Sequence, residues 1–195
     1  MGNWLTARQG RLLLSAPDRS TMRGKRDAAM LALLLGCGLR RSELAALDMI
    51  HFQQREDHWA IVDLIGKGGR VRTVPVPDWV KAAVDDWTRA AGIVENRLFR
   101  SIRKNGAVWG EGLTQNVIWY VVRDAAKRVG IDRPAPHDLR RSCARMCHLA
   151  GGELEQIQFL LGHASVQTTE RYLGCKQRIR QAVNDRIELQ LEIHA

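Results

Sequence analysis

The chain of 195 residues is long enough for one domain with its own core, and it carries 30 Lys and Arg against 21 Asp and Glu, a formal net charge of +9. This excess favours a polyanionic partner, nucleic acid before an anionic membrane or an acidic protein. No apolar stretch is long enough to cross a bilayer and no signal-peptide pattern opens the chain, so we expect a protein of the reducing cytoplasm, neither membrane-spanning nor secreted.

The first third of the chain predicts helices interrupted by one strand-rich segment. Residues 28–35 are apolar nearly all round, which is typical of a buried central helix that stops near Gly36 and Gly38. The stretch "RRSELAAL" follows as a short helix. Between residues 50 and 76, two β-branched runs flank a Gly-Lys-Gly-Gly turn, which predicts a β-hairpin.

The remainder of the chain is helical in pattern. Apolar spacing predicts helices near residues 78–92, 114–130, 137–150, 153–161 and 165–173, and a last one from residue 176 onward. That last helix is amphipathic, with Ile179, Val183, Ile187 and Leu191 at helical spacing. The sequence has no internal repeat and no obvious linker. The expected fold class is therefore mainly α with a small antiparallel hairpin or sheet, an α+β domain.

The four cysteines indicate free thiols in a reducing compartment: they are Cys37, Cys143, Cys147 and Cys175. Cys143 and Cys147 lie one helical turn apart beside His148, but no second ligand pair at zinc spacing is present. We therefore expect apolar packing for these residues, and neither a metal nor a cofactor.

Several charged residues stand at positions that chemistry could use. Arg40 and Glu43 are three residues apart, Lys67 occupies the predicted hairpin tip, and His137 and Arg140 lie at i and i+3 near a helix start. Each has an ordinary interpretation taken alone. A surface ion pair, a solubilising turn residue and a helix cap are the commoner roles.

A histidine and a tyrosine share the stretch "LGHASVQTTERYLG", which spans residues 161–174. His163 and Tyr172 stand nine positions apart, at the ends of what is predicted to be a turn and a short helix. The only other tyrosine is Tyr120, in the apolar run "VIWYVV". A tyrosine on a short helix is usually a packing residue, so the pair needs a further reason to be functional.

Four segments of the sequence, taken together, resemble the catalytic domain of tyrosine recombinases, the phage-integrase family. The stretches "GLRRSEL", "GKGGR", "HDLRR" and "LGHASVQTTERYL" occur in that family's order and at about its spacing, from about residue 22 to the end. The resemblance implies a supporting role for Glu43 and catalytic roles for six residues, which are Arg40, Lys67, His137, Arg140, His163 and Tyr172. Arg41 could replace Arg40 as the first arginine, although the Gly-Leu-Arg spacing favours Arg40.

The implied activity is site-specific DNA recombination through a 3′-phosphotyrosine intermediate, without a metal. Cutting and later rejoining a phosphodiester without an energy source requires that the bond energy be kept in a covalent intermediate, which a phenol can hold. The arginines can stabilise the charge that develops on the phosphate. By the resemblance, Lys67 protonates the departing 5′ oxygen, His137 helps to move the tyrosine proton, and His163 adds a donor to the phosphate.

The resemblance also predicts organisation and partners. Residues 22–175 are expected to form the catalytic domain, residues 1–21 a lead-in to it, and residues 176–195 a helix that docks on a neighbouring subunit. The expected partners are double-stranded DNA and further copies of the chain, assembled as a tetramer. The family usually carries a separate N-terminal DNA-clamping domain, so we expect this chain to be part of a longer protein, with weak specific binding by itself.

The sequence departs from the family pattern at two positions, and two other functions are kept as alternatives. Arg141 stands where many members have a second histidine, and Cys143 stands where an aromatic residue is common. A type IB topoisomerase would share the tyrosine chemistry but relax supercoils. A basic DNA-binding module with a decayed site would share only the charge.

Overall fold

The computed structural model describes residues 4–175, with Lys67 described by its backbone. The helices in this range are α1 (Ala7–Ser15), α2 (Met22–Gly36), α3 (Arg41–Ala46), α4 (Asp78–Ala91), α5 (Gln115–Arg128), α6 (Pro136–Leu149), α7 (Leu154–Leu161) and α8 (Val166–Leu173). The strands are β1 (Phe52–Arg55), β2 (His58–Ile65), β3 (Val71–Pro75), β4 (Ser101–Ile102) and β5 (Val108–Trp109). The predicted fold class is confirmed. The helix predicted after residue 176 lies outside the described residues, and its docking role stays a prediction.

Helix α2 is the centre of the hydrophobic core, as its sequence predicts. Its residues 29–34 are fully or almost fully buried, because they are apolar on every face and contact helices on several sides. The Thr21 side chain caps the first turn by accepting from the amide of Gly24. The helix ends at Gly36, and Gly38 then adopts a φ of 59°, which turns the chain towards α3.

The described part of residues 1–21, expected as a lead-in, contains helix α1. Thr6 and Gln9 form a capping box at its start. Leu13 is fully buried in the common core, and the amide of Leu5 donates to Ser142 Oγ of α6 at 2.7 Å. This segment therefore packs on the same core as the helices that follow it.

The predicted hairpin is present as β2 and β3, and it forms part of a three-stranded antiparallel sheet in the order β1-β2-β3. The register of β2 and β3 shifts between Ile61 and Leu64, where Asp63 has a φ of 52°. The turn between them is a short 3₁₀ segment, Lys67–Gly69, in which Gly68 and Gly69 have positive φ. Lys67 thus lies at the hairpin tip, as its sequence context predicts.

Helices α6, α7 and α8 close the fold around a small second core. That core consists of Ala144, Ile157, Leu161 and Leu173, with Tyr172 packed against it. Gly162 ends α7 in the left-handed conformation and Ser165 caps α8. These two signals hold His163 in a tight turn between the helices. Among the described residues, no helix is both long and apolar enough to cross a membrane.

Candidate active site

Arg40 and Glu43 form a compact pair at the start of α3. Arg40 stands in extended conformation at the N-cap, so its backbone amide donates to Glu43 Oε2 at 2.7 Å and its Nη1 donates to Glu43 Oε1 at 2.6 Å. The Glu43 side chain is only 2% exposed, unlike the solvated pair that the spacing alone suggests. Arg41 is exposed and donates to Gln115 of α5, so Arg40 is the arginine of the pair that lies in the site.

A third member of this cluster, Arg72, was not predicted from the sequence. Its Nη1 and Nη2 donate to the two oxygens of Glu43 at 2.8 and 2.9 Å. Burial by itself would raise the pKa of Glu43, but the hydrogen bonds from Arg72 and Arg40 outweigh burial and hold the pKa at about 2. Glu43 is therefore a carboxylate at every physiological pH. The sequence signal was available, because Arg72 lies two residues before the buried Val74 on β3, and side chains at i and i+2 of a strand face the same side.

Arg140 is the most buried charged residue among those described, with 1% of its surface exposed. Its Nη1 donates to the carbonyl of Gly38 at 2.5 Å, and its Nη2 donates to the carbonyl of Leu161. Burial and repulsion from Arg40 lower its pKa to about 10, which leaves it charged at neutral pH. The two hydrogen bonds use two of its five N–H donors. Arg140 thereby joins the end of α2 to the turn that carries His163.

His137 and His163 both lie against the ring of Tyr172. The ring centroids are 5.8 Å apart for His137 and 5.0 Å apart for His163, and both pairs meet edge to face. His163 Nδ1 lies 3.1 Å from Thr169 Oγ1, a buried hydroxyl of α8. Burial, followed by the arginines nearby, lowers the pKa of His137 and lowers that of His163 to about 4. Both rings are therefore neutral at pH 7.

Tyr172 presents a buried hydroxyl that has no hydrogen-bond partner among the described residues. Leaving a buried polar group unpaired costs about 1–3 kcal/mol, so a hydroxyl here is unfavourable if the residue serves packing alone. Burial also raises the pKa of the phenol, although Arg140 and Arg141 oppose the rise. The guanidinium of Arg141 lies 5.4 Å from the ring centroid, so the residue that departs from the family pattern contacts the same tyrosine.

The structure thus brings five of the six predicted catalytic residues, and Glu43, into one cluster between α3, α6 and α8. Lys67 lies in the turn of the hairpin whose strand β3 carries Arg72. Tyr120 is elsewhere, 65% exposed on α5 with its ring against Trp119. The two tyrosines of the sequence therefore have opposite environments, since Tyr172 is packed in the cluster and Tyr120 is exposed.

The lowered pKa of His163 predicts a loss of stability in weak acid. The unfolded chain takes up this proton near pH ~6.5, whereas the folded chain does so only at about 4. Between those values the unfolded state binds more protons, so the free energy of unfolding falls as the pH falls. We expect the unfolding temperature to decrease from pH 6.5 to pH 4, and to decrease less in His163→Gln. Thermal denaturation followed by circular dichroism measures both. Equal decreases in the two proteins would contradict the assignment.

The comparisons with known proteins bear on the same cluster. The model of the phage integrase family matches residues 3–178 of the chain. The chain belongs to the phage integrase family. This confirms the resemblance on which the site residues were predicted, and the match includes the segment of α1 that precedes residue 22.

Individual relatives within the family are recombinases. The chain is 35% identical to the tyrosine recombinase XerD of Listeria monocytogenes over 82% of its own length and 54% of the relative's. It is 34% identical to XerD of Pseudomonas putida over 87% of its length and 56% of the relative's. The chain therefore spans about half the length of the curated relatives it matches.

Solved structures confirm the fold of a tyrosine recombinase catalytic domain. The crystal structure of XerA recombinase superposes with a TM-score of 0.71 at 26% identity, over 90% of this chain and 61% of that one. XerH recombinase bound to its difH substrate superposes with a TM-score of 0.70 at 20% identity, over 87% of this chain and 50% of that one.

Proposed function

We propose that this chain is the catalytic part of a site-specific DNA recombinase, which cuts a strand through Tyr172 and holds it as a 3′-phosphotyrosine. The observation that carries the proposal is the surroundings of Tyr172, whose buried, unpaired hydroxyl belongs to a ring that lies against His137 and His163. A phenol placed among neutral imidazoles and arginines is equipped to attack a phosphodiester. Family membership supports the same reaction.

Activation of the tyrosine is the first requirement. Burial raises the pKa of Tyr172 above its ordinary value, so the phenol is protonated at neutral pH and needs a base as it attacks. His137 can accept that proton, since burial and the nearby arginines keep its ring neutral. As the phenolic oxygen bonds to phosphorus, the bond from phosphorus to the 5′ oxygen breaks. The 5′ oxygen leaves as a hydroxyl once Lys67 has supplied a proton.

Stabilisation of the phosphate is the second requirement, and we assign it to Arg40, Arg140 and His163. The guanidinium groups supply charge and N–H donors to the nonbridging oxygens, on which negative charge grows in the transition state. His163 can donate to the same phosphate if its proton is on Nε2. The hydroxyl of Thr169, 3.1 Å from Nδ1, is compatible with that tautomer, because it can then donate to Nδ1.

Rejoining follows from the same groups acting in reverse. The 5′ hydroxyl of the incoming strand loses its proton, attacks the phosphotyrosine and displaces Tyr172, which recovers its proton. No net bond energy is lost, so no nucleotide cofactor is required. The reaction recombines DNA when the attacking hydroxyl belongs to a different duplex.

Double-stranded DNA is the proposed partner, with self-association on it as a tetramer, in the cytoplasm. The net charge of +9 supports a polyanionic ligand. The XerH structure contains its difH substrate, and a transposon integrase of the same fold was solved with circular-intermediate DNA. Strand exchange between two duplexes needs four cleavage events, which a tetramer supplies with one Tyr172 per strand.

Covalent capture on DNA of randomised sequence tests the proposal, because the protein itself then selects the site that it cleaves. The chain is mixed with a library of nicked duplexes, and adducts are trapped with detergent, purified and sequenced. A nick beside the cleavage point lets the short leaving strand diffuse away, so the intermediate accumulates. We expect an enriched sequence joined to the protein at a 3′ phosphate. Recovery no greater than with heat-denatured protein would refute the proposed activity.

Lys67 can be tested as the general acid with a modified leaving group. Lys67→Ala should cleave ordinary DNA at least ~10²-fold more slowly, because general acid catalysis typically contributes 10²–10⁴. When sulfur replaces the 5′ bridging oxygen, the 5′ leaving group departs without a proton. The variant should therefore recover most of the wild-type rate on this substrate. Single-turnover adduct formation on both substrates gives the comparison. An equal deficit on the two would reassign Lys67 to phosphate binding.

A further inference from the structure

We infer that Arg72 is a positioning residue of this site, which clamps the hairpin of Lys67, the Arg40–Glu43 pair and the turn of His163 into one arrangement. The inference rests on the proposed strand cleavage. It concerns a residue outside the six that the family resemblance implies, and it assigns to Arg72 no contact with DNA.

The contacts of Arg72 join three separate parts of the chain. The residue itself belongs to β3, next to the hairpin turn. Its Nη1 and Nη2 bind the two carboxylate oxygens of Glu43 at 2.8 and 2.9 Å, and its Nε donates to the carbonyl of Leu160 at 3.1 Å. All three guanidinium nitrogens are thus used, and the side chain is 8% exposed. Only a planar fork can make these three bonds together, so lysine cannot replace it.

Two glycines show how closely the surrounding turns approach this guanidinium. A β-carbon at Gly162 would lie 2.8 Å from Arg72 Cδ, and Gly162 has a φ of 62°. A β-carbon at Gly66 would lie 3.1 Å from Arg72 Nη1 and 3.3 Å from Arg40 Nη1. The turn before Lys67 and the turn before His163 therefore both pack on Arg72. Moving this side chain displaces both turns.

The charge balance gives Arg72 a second effect on the site. Arg40 and Arg72 share Glu43 Oε1, at 2.6 and 2.8 Å, so the three groups together carry one positive charge. Without Arg72, Arg40 would face Glu43 alone and the pair would be neutral. The phosphate would then meet a weaker field at Arg40. A second cation on Glu43 leaves the charge of Arg40 available to the substrate.

A purely structural role is the competing interpretation, because breaking a buried ion pair commonly destabilises a fold. Arg97 supplies a control for the loss of an ion pair, with a more exposed side chain, 43% against 8% for Arg72. It also binds a carboxylate, Asp48 Oδ2 at 3.1 Å, and a backbone carbonyl, that of Ala46, but it is not among the residues of the site. Arg97→Lys and Arg97→Gln should reproduce the loss of an ion pair without the loss of positioning.

The test compares Arg72→Lys and Arg72→Gln with the Arg97 variants, using the captured duplex. We expect single-turnover adduct formation to fall by about 10²-fold in both Arg72 variants, the effect of a misplaced catalytic group, with noncovalent DNA affinity unchanged. Arg72→Lys keeps the charge but not the fork, so it should rescue little. Wild-type rates in the folded Arg72 variants, or equal losses in the Arg97 variants, would overturn the inference.

Hydrogen exchange read by mass spectrometry tests the clamp without DNA, so it separates failure of the clamp from failure of the proposed activity. In the Arg72 variants, amides of residues 66–72 and 158–169 should exchange faster than in wild type, whereas the Arg97 variants should leave both segments unchanged. Unchanged exchange in both segments of Arg72→Gln would refute the clamp even if the enzyme is active. Faster exchange in a chain that captures no DNA would retain the clamp and reject recombination.

Discussion

Tyr172→Phe should abolish the covalent protein–DNA adduct on the nicked duplex while leaving noncovalent DNA affinity within about twofold of wild type. The change removes one oxygen and keeps the ring that lies against His137 and His163. The hydroxyl has no hydrogen-bond partner of ordinary geometry among the described residues, and the guanidinium of Arg141 is a cation that interacts with it. Its removal should therefore leave the unfolding temperature nearly unchanged.

Tyr120→Phe is the internal control for that experiment. Tyr120 is 65% exposed on α5, with its ring against Trp119, and it is not among the predicted site residues. Its variant should form adduct at the wild-type rate. Adduct in Tyr172→Phe, or its loss in Tyr120→Phe, would place the nucleophile elsewhere and reject the mechanism. Gel separation of labelled DNA in detergent measures adduct, and filter binding measures affinity.

The structure brings the predicted site residues close together because local sequence signals fix the turns beside them. Gly38 turns the chain after α2, and the αL end of α7 at Gly162 fixes the loop before His163. Such signals lie within a few residues of the side chain they position. The order of elements was predictable from local sequence as well, since the apolar run of α2 is long and the apolar residues of α4 and α5 are periodic.

The features that escaped prediction depend on their partners more than on a sequence pattern of their own. Strand β1 has the polar sequence Phe-Gln-Gln-Arg and is a strand only because it pairs with β2. Strands β4 and β5 have two residues each, too few for any pattern. The burial of Glu43 depends on Arg72, which is 29 positions away, so the i to i+3 spacing with Arg40 alone suggested a solvated pair.

Arg141 shows how a departure from the family pattern can be placed by structure. From the sequence alone, no contact can be predicted for an arginine at the position where many members have histidine. In the fold its guanidinium lies 5.4 Å from the ring centroid of Tyr172, where it opposes the rise in the pKa of the phenol and lowers that of His137. Arg141 therefore adds positive charge beside the proposed nucleophile, and the departure affects the candidate site itself rather than a remote surface.

Arg140→Lys should lower the single-turnover rate of adduct formation by about 10²–10³-fold, the loss typical of removing one donor to a transition-state oxyanion. Lysine keeps the charge but lacks the fork, so it cannot hold the carbonyls of Gly38 and Leu161 and donate to the phosphate as well. The variant will also be less stable, because those carbonyls lose their buried partner. Rate alone would therefore not separate catalysis from folding.

A substrate with a neutral phosphate separates an effect of Arg140→Lys on catalysis from an effect on folding. Replacing one nonbridging oxygen by methyl removes the negative charge and one acceptor that the fork of Arg140 is proposed to bind, so the deficit of Arg140→Lys against wild type should shrink at least about tenfold. The ratio of the two rates within one protein cancels its folded fraction. Arg145→Lys is the control, because Arg145 lies on the same helix and donates to a carbonyl, that of Leu173 at 3.4 Å, yet is not among the predicted site residues. If the ratio for Arg140→Lys equals the ratios for Arg145→Lys and wild type, Arg140 acts on the fold and not on the phosphate, and the electrostatic part of the mechanism fails.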